Sequence, residues 1–589
     1  IQVLGMRKIL KRNGLVKRLL AVETLGSVTT ICTDKTGTLT EGRMRVTRHD
    51  VNDDRRALEV MVYCNDLEGP VDAALWDYAR TQLGRDPQDM ASAAERVGEE
   101  LFSSETKFMI TANRVAGETI YYLKGAPEIV LGMCSADDEA RRRILSQVEQ
   151  WAGEGLRLLG LAYRRGGLSD DHTGYTWVGL VAMEDPIREG VHEAIQVARR
   201  AGIKIKMITG DYRKTAERIA AMIGLTTGPG QVIDGDELNQ LSDDELAQRI
   251  QDIAVFARIR PHDKLRIVKA LQTRGEIVAM IGDGVNDAPA LKRANIGVVV
   301  GTATDVAKET ADLILLDNNF KTIVAAIEEG RVIFENIRKV VAYTLSNSFA
   351  EVLLVFGAML LGWPAPLLVA QILWIHLICD GPSDIVLGFE PKEDGIMEEP
   401  PKPLTEPILN RLGLSMIAII SIASSVVGLA FFGHYYLQHQ DLTVGRSFVF
   451  ASFAINSMIY IFAYRSLRRP IIRTAPLSAN KPLVWAVAGG IGVALLAFIV
   501  PALRKVLSIV PLTLRQSLLV AGVAVGLLMV VEIGKWITNR YHPLVTSKVA
   551  VQTGYNPNSN DDGNPLPRPQ QPRSIFNGRW SKNDKSNPK

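Results

Sequence analysis

The chain has 589 residues, with 67 Lys and Arg against 64 Asp and Glu and a net charge of +3. That is too long for one hydrophobic core, so two or more domains are expected, and the balanced charge, with no basic stripe interleaved with aromatics, excludes nucleic acid as a partner. The four cysteines, Cys32, Cys64, Cys134 and Cys379, form no CxxC pair, which argues against a disulfide framework or structural zinc and suits a reduced cytosolic face.

In chain order, the opening IQVLGMRKILKRNGLVKRLL is basic but lacks a long apolar core ending in a small-residue cleavage site, so it does not read as a signal peptide. With no initiator Met, the chain is expected to be a fragment. Residues 1 to about 340 alternate short β-branched runs (TTICTD, IKIKMITGD, IVAMIGDG, ADLILLD) with helical patterns. This predicts an α/β domain whose strand ends carry the site. In ICTDKTGTLT at 31–40, Asp34 directly follows an apolar strand and precedes a Gly-containing turn, where a carboxylate can act as a nucleophile. In isolation such an Asp also serves as a turn cap; the complete DKTGTLT favours the nucleophile. About 150 residues then separate Asp34 from DPIR at 185–188, an inserted domain by its length.

From about 341 to 540 the character changes to long apolar segments, at 341–362, 367–388, 413–437, 446–464, 482–504 and 514–537, each near the ~20 residues that cross a bilayer. Basic residues fall in alternate connections: Lys392, Lys402 and Arg411; Arg465, Arg468, Arg469, Arg473 and Lys481; Lys535 and Arg540. The positive-inside rule places these in the cytosol with the α/β half. The tail after about 545 is too polar and Pro-rich to bury a core, and disorder is expected there.

DKTGTLT resembles the phosphorylation motif of P-type ATPases, and KGAPE (124–128), EGLR (154–157), DPIR, TGD (209–211) and GDGVNDAPAL (282–291) follow in that family's order. The resemblance implies a haloacid dehalogenase-like phosphorylation domain (21–45 and 178–340) after a stalk remnant (1–20). It further implies an inserted α+β nucleotide-binding domain (46–177), a six-helix transmembrane domain (341–540) and the polar tail (541–589). It implies ATP and Mg²⁺ as cofactors. Asp34 would attack the γ-phosphate beside Lys35, with Thr36, Asp283 and Asp287 completing the Mg²⁺ site with Asp34, and Asn286 closing the turn. Thr209, Gly210, Asp211 and Lys264 would hold the phosphate, and Phe102, Lys107, Lys124, Gly125, Arg157 and Asp72 the nucleotide. The pattern departs at Gly42 for Asn, at EGPVD (68–72) for GDPTE, at Ile281 for Thr and at ANIG (294–297) for ADIG; the second weakens Asp72.

Six spans, KGAPE and the loop GFEPKEDGIMEEPPKPLTEP most resemble calcium-pump-like members. YTLSNSFAE (343–351) and WIHLICD (374–380) then imply Glu351 and Asp380 as ligands of the transported cation, with Ser348 and His376 at neighbouring ligand positions. Charged groups inside a span are costly and suggest function. Asp380 has an alternative as a helix breaker beside Gly381 and Pro382, and His376 as a packing residue. His376 and Cys379 replace an amide and a hydroxyl, so Mn²⁺ or proton coupling competes with Ca²⁺, and a Na⁺/K⁺ pump remains an alternative. With no acidic residue near Ser457, one ion per cycle is the simpler expectation. The family has four further helices and an actuator domain with a TGE sequence upstream; TGE is absent here, so an N-terminal half carrying it is an expected partner. The expected location is a multi-pass protein of the plasma membrane with cytosolic catalytic domains. The competing reading is a non-transporting, membrane-anchored phosphatase-like relic.

Overall fold

The structure, a computed structural model, describes residues 1–103, 105–166, 172–225, 228–403 and 406–541; the expected disorder of the tail lies outside these, apart from position 541. Two sheets organise the described residues up to the first long helix. The eight-stranded sheet runs in the order Gly14–Val16, Leu313–Leu315, Ile296–Val300, Val278–Gly282, Thr30–Asp34, Lys204–Ile208, Val255–Ala257, Val232–Asp234. The Gly14–Val16 edge strand is antiparallel to its neighbour, and all other pairs are parallel. Parallel strands covered on both faces need apolar residues at every position. Accordingly Ile31, Ile205, Ala279 and Val298 enter one core, while Cys32, Ile208, Met280 and Val299 enter the other. Parallel register also brings the C-terminal ends of Thr30–Asp34, Lys204–Ile208 and Val278–Gly282 to one edge, where sheets of this kind hold their ligands.

The edge strand alters the reading of the first twenty residues. Instead of a stalk alone, the segment forms the helix Gln2–Lys11 and then pairs Gly14, Leu15 and Val16 with Leu315, Ile314 and Leu313.

The second sheet is antiparallel and six-stranded: Arg45–Val51, Thr176–Glu184, Arg157–Arg165, Glu118–Gly125, Phe108–Val115, Glu95–Glu100. Thr176–Glu184 belongs wholly to it, so the expected boundary at 178 falls inside a strand and the chain crosses back after Glu184.

The helix Phe320–Leu360 has 41 residues, about 60 Å at 1.5 Å per residue. Its base, Phe320, Ile323 and Ile327, lies in the core of the eight-stranded sheet. Its far half contributes Tyr343, Ala350 and Leu354 to the core of the apolar helices. Near the base it packs on the helix Leu19–Gly26, where Gly330 and Gly26 meet backbone to backbone: a Cβ on Gly330 would lie 2.7 Å from the Gly26 nitrogen and 2.9 Å from the Val22 carbonyl.

Among the described residues, five helices are long and apolar enough to cross a membrane: Phe320–Leu360, Arg411–Gln438, Leu442–Arg465, Leu477–Ile499 and Leu514–Thr538. The remaining expected span, 367–388, is a helical run in three pieces, Val369–Leu373, a π-helical Trp374–Asp380 and Gly381–Leu387. Pro382 is accommodated in the first turn of the last piece, where its missing N–H is tolerated. The span expected to reach 504 ends at Ile499. Pro501 opens a separate short helix, Pro501–Leu507, beyond an extended Val500, since proline cannot continue the hydrogen-bond ladder.

Candidate functional site

Asp34 ends the central strand of the eight-stranded sheet. The Lys264 ammonium stands 2.7 Å from its Oδ2 and 2.8 Å from Asp287 Oδ1. Burial works against the charge on Lys264, but Asp34 and then Asp287 outweigh it and hold its pKa above that of an ordinary lysine. Lys264 comes from the helix Pro261–Thr273. Asp283 and Asp287 come from the turn after Val278–Gly282, whose end must be glycine: a Cβ at Gly282 would lie 2.5 Å from Asp287 Oδ2. Oxygens of Asp34, Asp283 and Asp287 all lie within 4.8 Å of one another. Partial burial, then the charges of Asp34 and Asp287, raise the Asp283 pKa. Crowded carboxylates with an all-oxygen donor set fit a hard cation such as Mg²⁺. Asn286 is exposed in the same turn.

Lys35 is buried and pairs with Asp211 at 2.6 Å, so these two expected catalytic residues are engaged with each other beside Asp34. Thr209 is buried and its hydroxyl accepts the Asp211 N–H at 3.1 Å; Gly210 and Thr36 are exposed. The loop after Asp34 is latched by residues absent from the expected site. Asp185 accepts the Thr40 hydroxyl at 2.6 Å and the Gly42 N–H at 2.8 Å, and Arg188 donates to the Gly37 and Glu41 carbonyls. The DPIR motif was the visible signal for both.

In the second sheet, Lys107, Gly125 and Arg157 lie at one end, with Phe102 in the segment leading to it. Gly125 pairs with Phe108, the Ala126 N–H bonds the Lys107 carbonyl at 2.9 Å, and Arg157 begins the adjoining strand. Phe102, Lys107 and Arg157 are exposed, as a stacking ring and phosphate-facing cations must be. Lys124 and Asp72 are instead buried against each other at 2.6 Å. The two expected nucleotide contacts are thus turned inward as a buried ion pair.

Between the apolar helices a cavity of about one water molecule's size is lined by Asn347, Glu351, Asp380, Ser424, Asn456, Ser457 and Tyr460 among others. Asp380 accepts from Asn347 Nδ2 at 3.0 Å and from Ser457 Oγ at 2.7 Å, and Tyr460 donates to Asn347. Glu351 Oε2 meets His376 Nε2 at 2.8 Å. Glu351 Oε1, Ser424 Oγ and Asn456 Oδ1 are buried without a hydrogen-bond partner. Buried oxygens left unsatisfied are costly, and several around one small cavity fit a desolvated cation. Ser348 does not line it. Its hydroxyl bonds the Thr344 carbonyl of its own helix at 3.0 Å, because one residue is a rotation of about 100° on a helix, and Asn347 takes the inward position. Ser424 and Asn456 carried no sequence signal, since small polar residues are common where membrane helices pack.

Comparison with known proteins matches these regions. A family model described as haloacid dehalogenase-like hydrolase covers residues 28–295, a second of that description covers 264–327, and one described as cation transporting ATPase, C-terminus, covers 364–537. Calcium-transporting ATPase 1 of Lactococcus lactis is 35% identical over 575 residues, 90% of this chain and 65% of the relative. The calcium-transporting ATPase of Bacillus subtilis is 34% identical over 583 residues, 88% and 65%. Calcium-transporting ATPase type 2C member 1 of Bos taurus is 35% identical over 590 residues, 90% and 60%. The chain thus spans a little under two thirds of the length of these relatives. With Asp34 at its strand end, the carboxylate cluster around Lys264 and these matches over nine tenths of its length, the chain belongs to the P-type cation-transporting ATPases.

Proposed function

We propose that this chain drives a cation across a membrane at the expense of ATP, through an aspartyl phosphate at Asp34, and that the ion is divalent, Ca²⁺ being the one named for the relatives. In this reading residues 21–45 and those after Glu184 form the phosphorylation domain, the six-stranded sheet carries the nucleotide, and the membrane is the plasma membrane with the catalytic domains cytosolic. The Asp34 carboxylate attacks the γ-phosphorus; an O–P bond forms to Asp34 as the bond to the ADP oxygen breaks, and ADP leaves with the electron pair. Water later cleaves the acyl phosphate, returning the carboxylate and inorganic phosphate. Lys264, fixed between Asp34 and Asp287, stabilises the negative charge of the transferring group without reorganising. Thr209 and Gly210, at the end of the neighbouring strand, supply donors to it. Mg²⁺ held by Asp34, Asp283 and Asp287 would supply charge neutralisation at the phosphate.

The observation that carries the proposal is the helix Phe320–Leu360, rooted in the core beneath Asp34 and carrying Asn347 and Glu351 into the cavity with Asp380. A phosphatase relic would have no use for oxygen ligands at that depth. Equilibrium binding of radiolabelled Ca²⁺ to the detergent-solubilised chain tests it. Binding weakened in Glu351→Gln and in Asp380→Asn, and kept in Asp34→Asn, is expected; Ca²⁺ binding indifferent to both membrane carboxylates would sink the reading.

A further inference from the structure

The second long apolar helix, Arg411–Gly433, does not end in an ordinary cap. It runs into a π-helical turn, His434–Gln438, that His439 closes. Gly433 packs on Trp363, just past the end of Phe320–Leu360, so this turn lies at the end of the helices remote from the eight-stranded sheet. Residues five apart on an α-helix are turned from each other by roughly 140°. The wider π turn instead brings His434 and His439 together, their ring centres 5.3 Å apart. Such turns are rare and recur at functional sites. Gln440 adopts a left-handed φ of 54°, folding the chain back so that the Asp441 N–H reaches the Tyr435 carbonyl at 3.3 Å. The Tyr435 hydroxyl accepts Gln516 Nε2 at 3.0 Å, tying the turn to the last long helix. The backbone is thereby anchored while both imidazoles are exposed.

We propose that His434 and His439 form a two-imidazole site for a divalent transition-metal ion of the Zn²⁺ or Cu²⁺ kind, separate from the carboxylate sites. Metal–nitrogen bonds to imidazole are about 2.0–2.1 Å and the ring centre lies about 1.2 Å further out, so two imidazoles on one tetrahedral ion have centres roughly 5 Å apart. The observed spacing meets that requirement, and exposed side chains can turn a ring nitrogen each toward the shared point, water completing the coordination. Nitrogen donors select Zn²⁺, Cu²⁺ and Ni²⁺ over the oxygen-seeking Ca²⁺ and Mg²⁺. The site stands on its own geometry and is independent of the pumping reaction.

The test titrates Cu²⁺ alone into the detergent-solubilised chain and follows electron paramagnetic resonance, in which imidazole nitrogens split the copper signal and carboxylate oxygens do not. The expected result is a two-nitrogen species that survives His376→Gln. His434→Ala and His439→Ala should each weaken it at least about ten-fold, with the far-ultraviolet circular dichroism unchanged. Glu351→Gln and Asp283→Asn should leave it as it is. A wild-type chain with no two-nitrogen species, or a His434→Ala/His439→Ala double variant that retains it, would mean that the rings only pack edge to face.

Discussion

At Lys264 a single ammonium holds two carboxylates that would otherwise repel each other and an incoming phosphate. Lys264→Ala is expected to lower phosphoenzyme formation by roughly 10²–10³-fold, the usual cost of one preorganised donor, measured as acid-stable label from γ-labelled ATP; Lys264→Arg should recover part of it. In the membrane half, Asn347→Ala is expected to weaken Ca²⁺ binding while Ser348→Ala leaves it within two-fold or so, which equilibrium binding separates. The sequence pointed to Glu351 and Asp380 by motif and charge, and to Ser348 rather than the adjacent Asn347 that lines the cavity, because the helix phase is set by packing that no local pattern reports. Lys206 shows a different consequence of burial. Its ammonium is buried under the sheet, donating to the Ile250, Gln251 and Ile253 carbonyls, and burial pushes its pKa from 10.5 down to about 8. Between those values the unfolded chain binds more protons than the folded one, so stability rises with pH through that window, by on the order of 3 kcal/mol in total. Urea midpoints at pH 7.5 and 9.5 should therefore diverge more in the wild type than in Lys206→Met.

Among the elements, the strands Thr30–Asp34, Lys204–Ile208, Val278–Gly282 and Leu313–Leu315 were legible because burial on both faces forces continuous apolar runs, and the first three ended at motifs that position a side chain. The strand Gly14–Val16 was not, since three residues in a basic segment carry no alternation to read and only the partner Leu313–Leu315 makes them a strand. The broken run 369–387 read as one ordinary span because hydropathy is blind to helical pitch; the π segment Trp374–Asp380 places His376 against Glu351 and Asp380 in the cavity. Where the helices Leu19–Gly26 and Phe320–Leu360 touch, Gly330→Ala would drive a methyl into the backbone at Gly26 and Val22. Backbone cannot yield as a side chain tip does, so a loss of about 1–3 kcal/mol is expected, seen as a lower melting temperature of the solubilised chain; Gly489→Ala, facing open space, is the control.

Over the whole molecule, the sequence separated an α/β half from a membrane half, and the structure adds the connection. A helix of 41 residues belongs to both cores, and the loop after the broken run is bound to it and to the later helices by Lys339–Glu393, Arg338–Glu406, Arg465–Glu390 and Arg468–Glu399. Those ion pairs were hidden because each joins residues about 54 to 75 positions apart, from 339 to 393 and from 390 to 465. Under the proposed function, chemistry at Asp34 and occupancy of the cavity at Glu351 and Asp380 would be linked through this connection as one equilibrium, each biasing the other. The direct measurement is hydroxylamine-sensitive labelling from γ-labelled ATP, as a function of Ca²⁺, in the wild type, Asp34→Asn and Glu351→Gln. The expected label responds to Ca²⁺, is absent in Asp34→Asn, and needs a higher Ca²⁺ concentration in Glu351→Gln. Label that persists without Asp34, or that ignores both Ca²⁺ and Glu351, would contradict the proposed function.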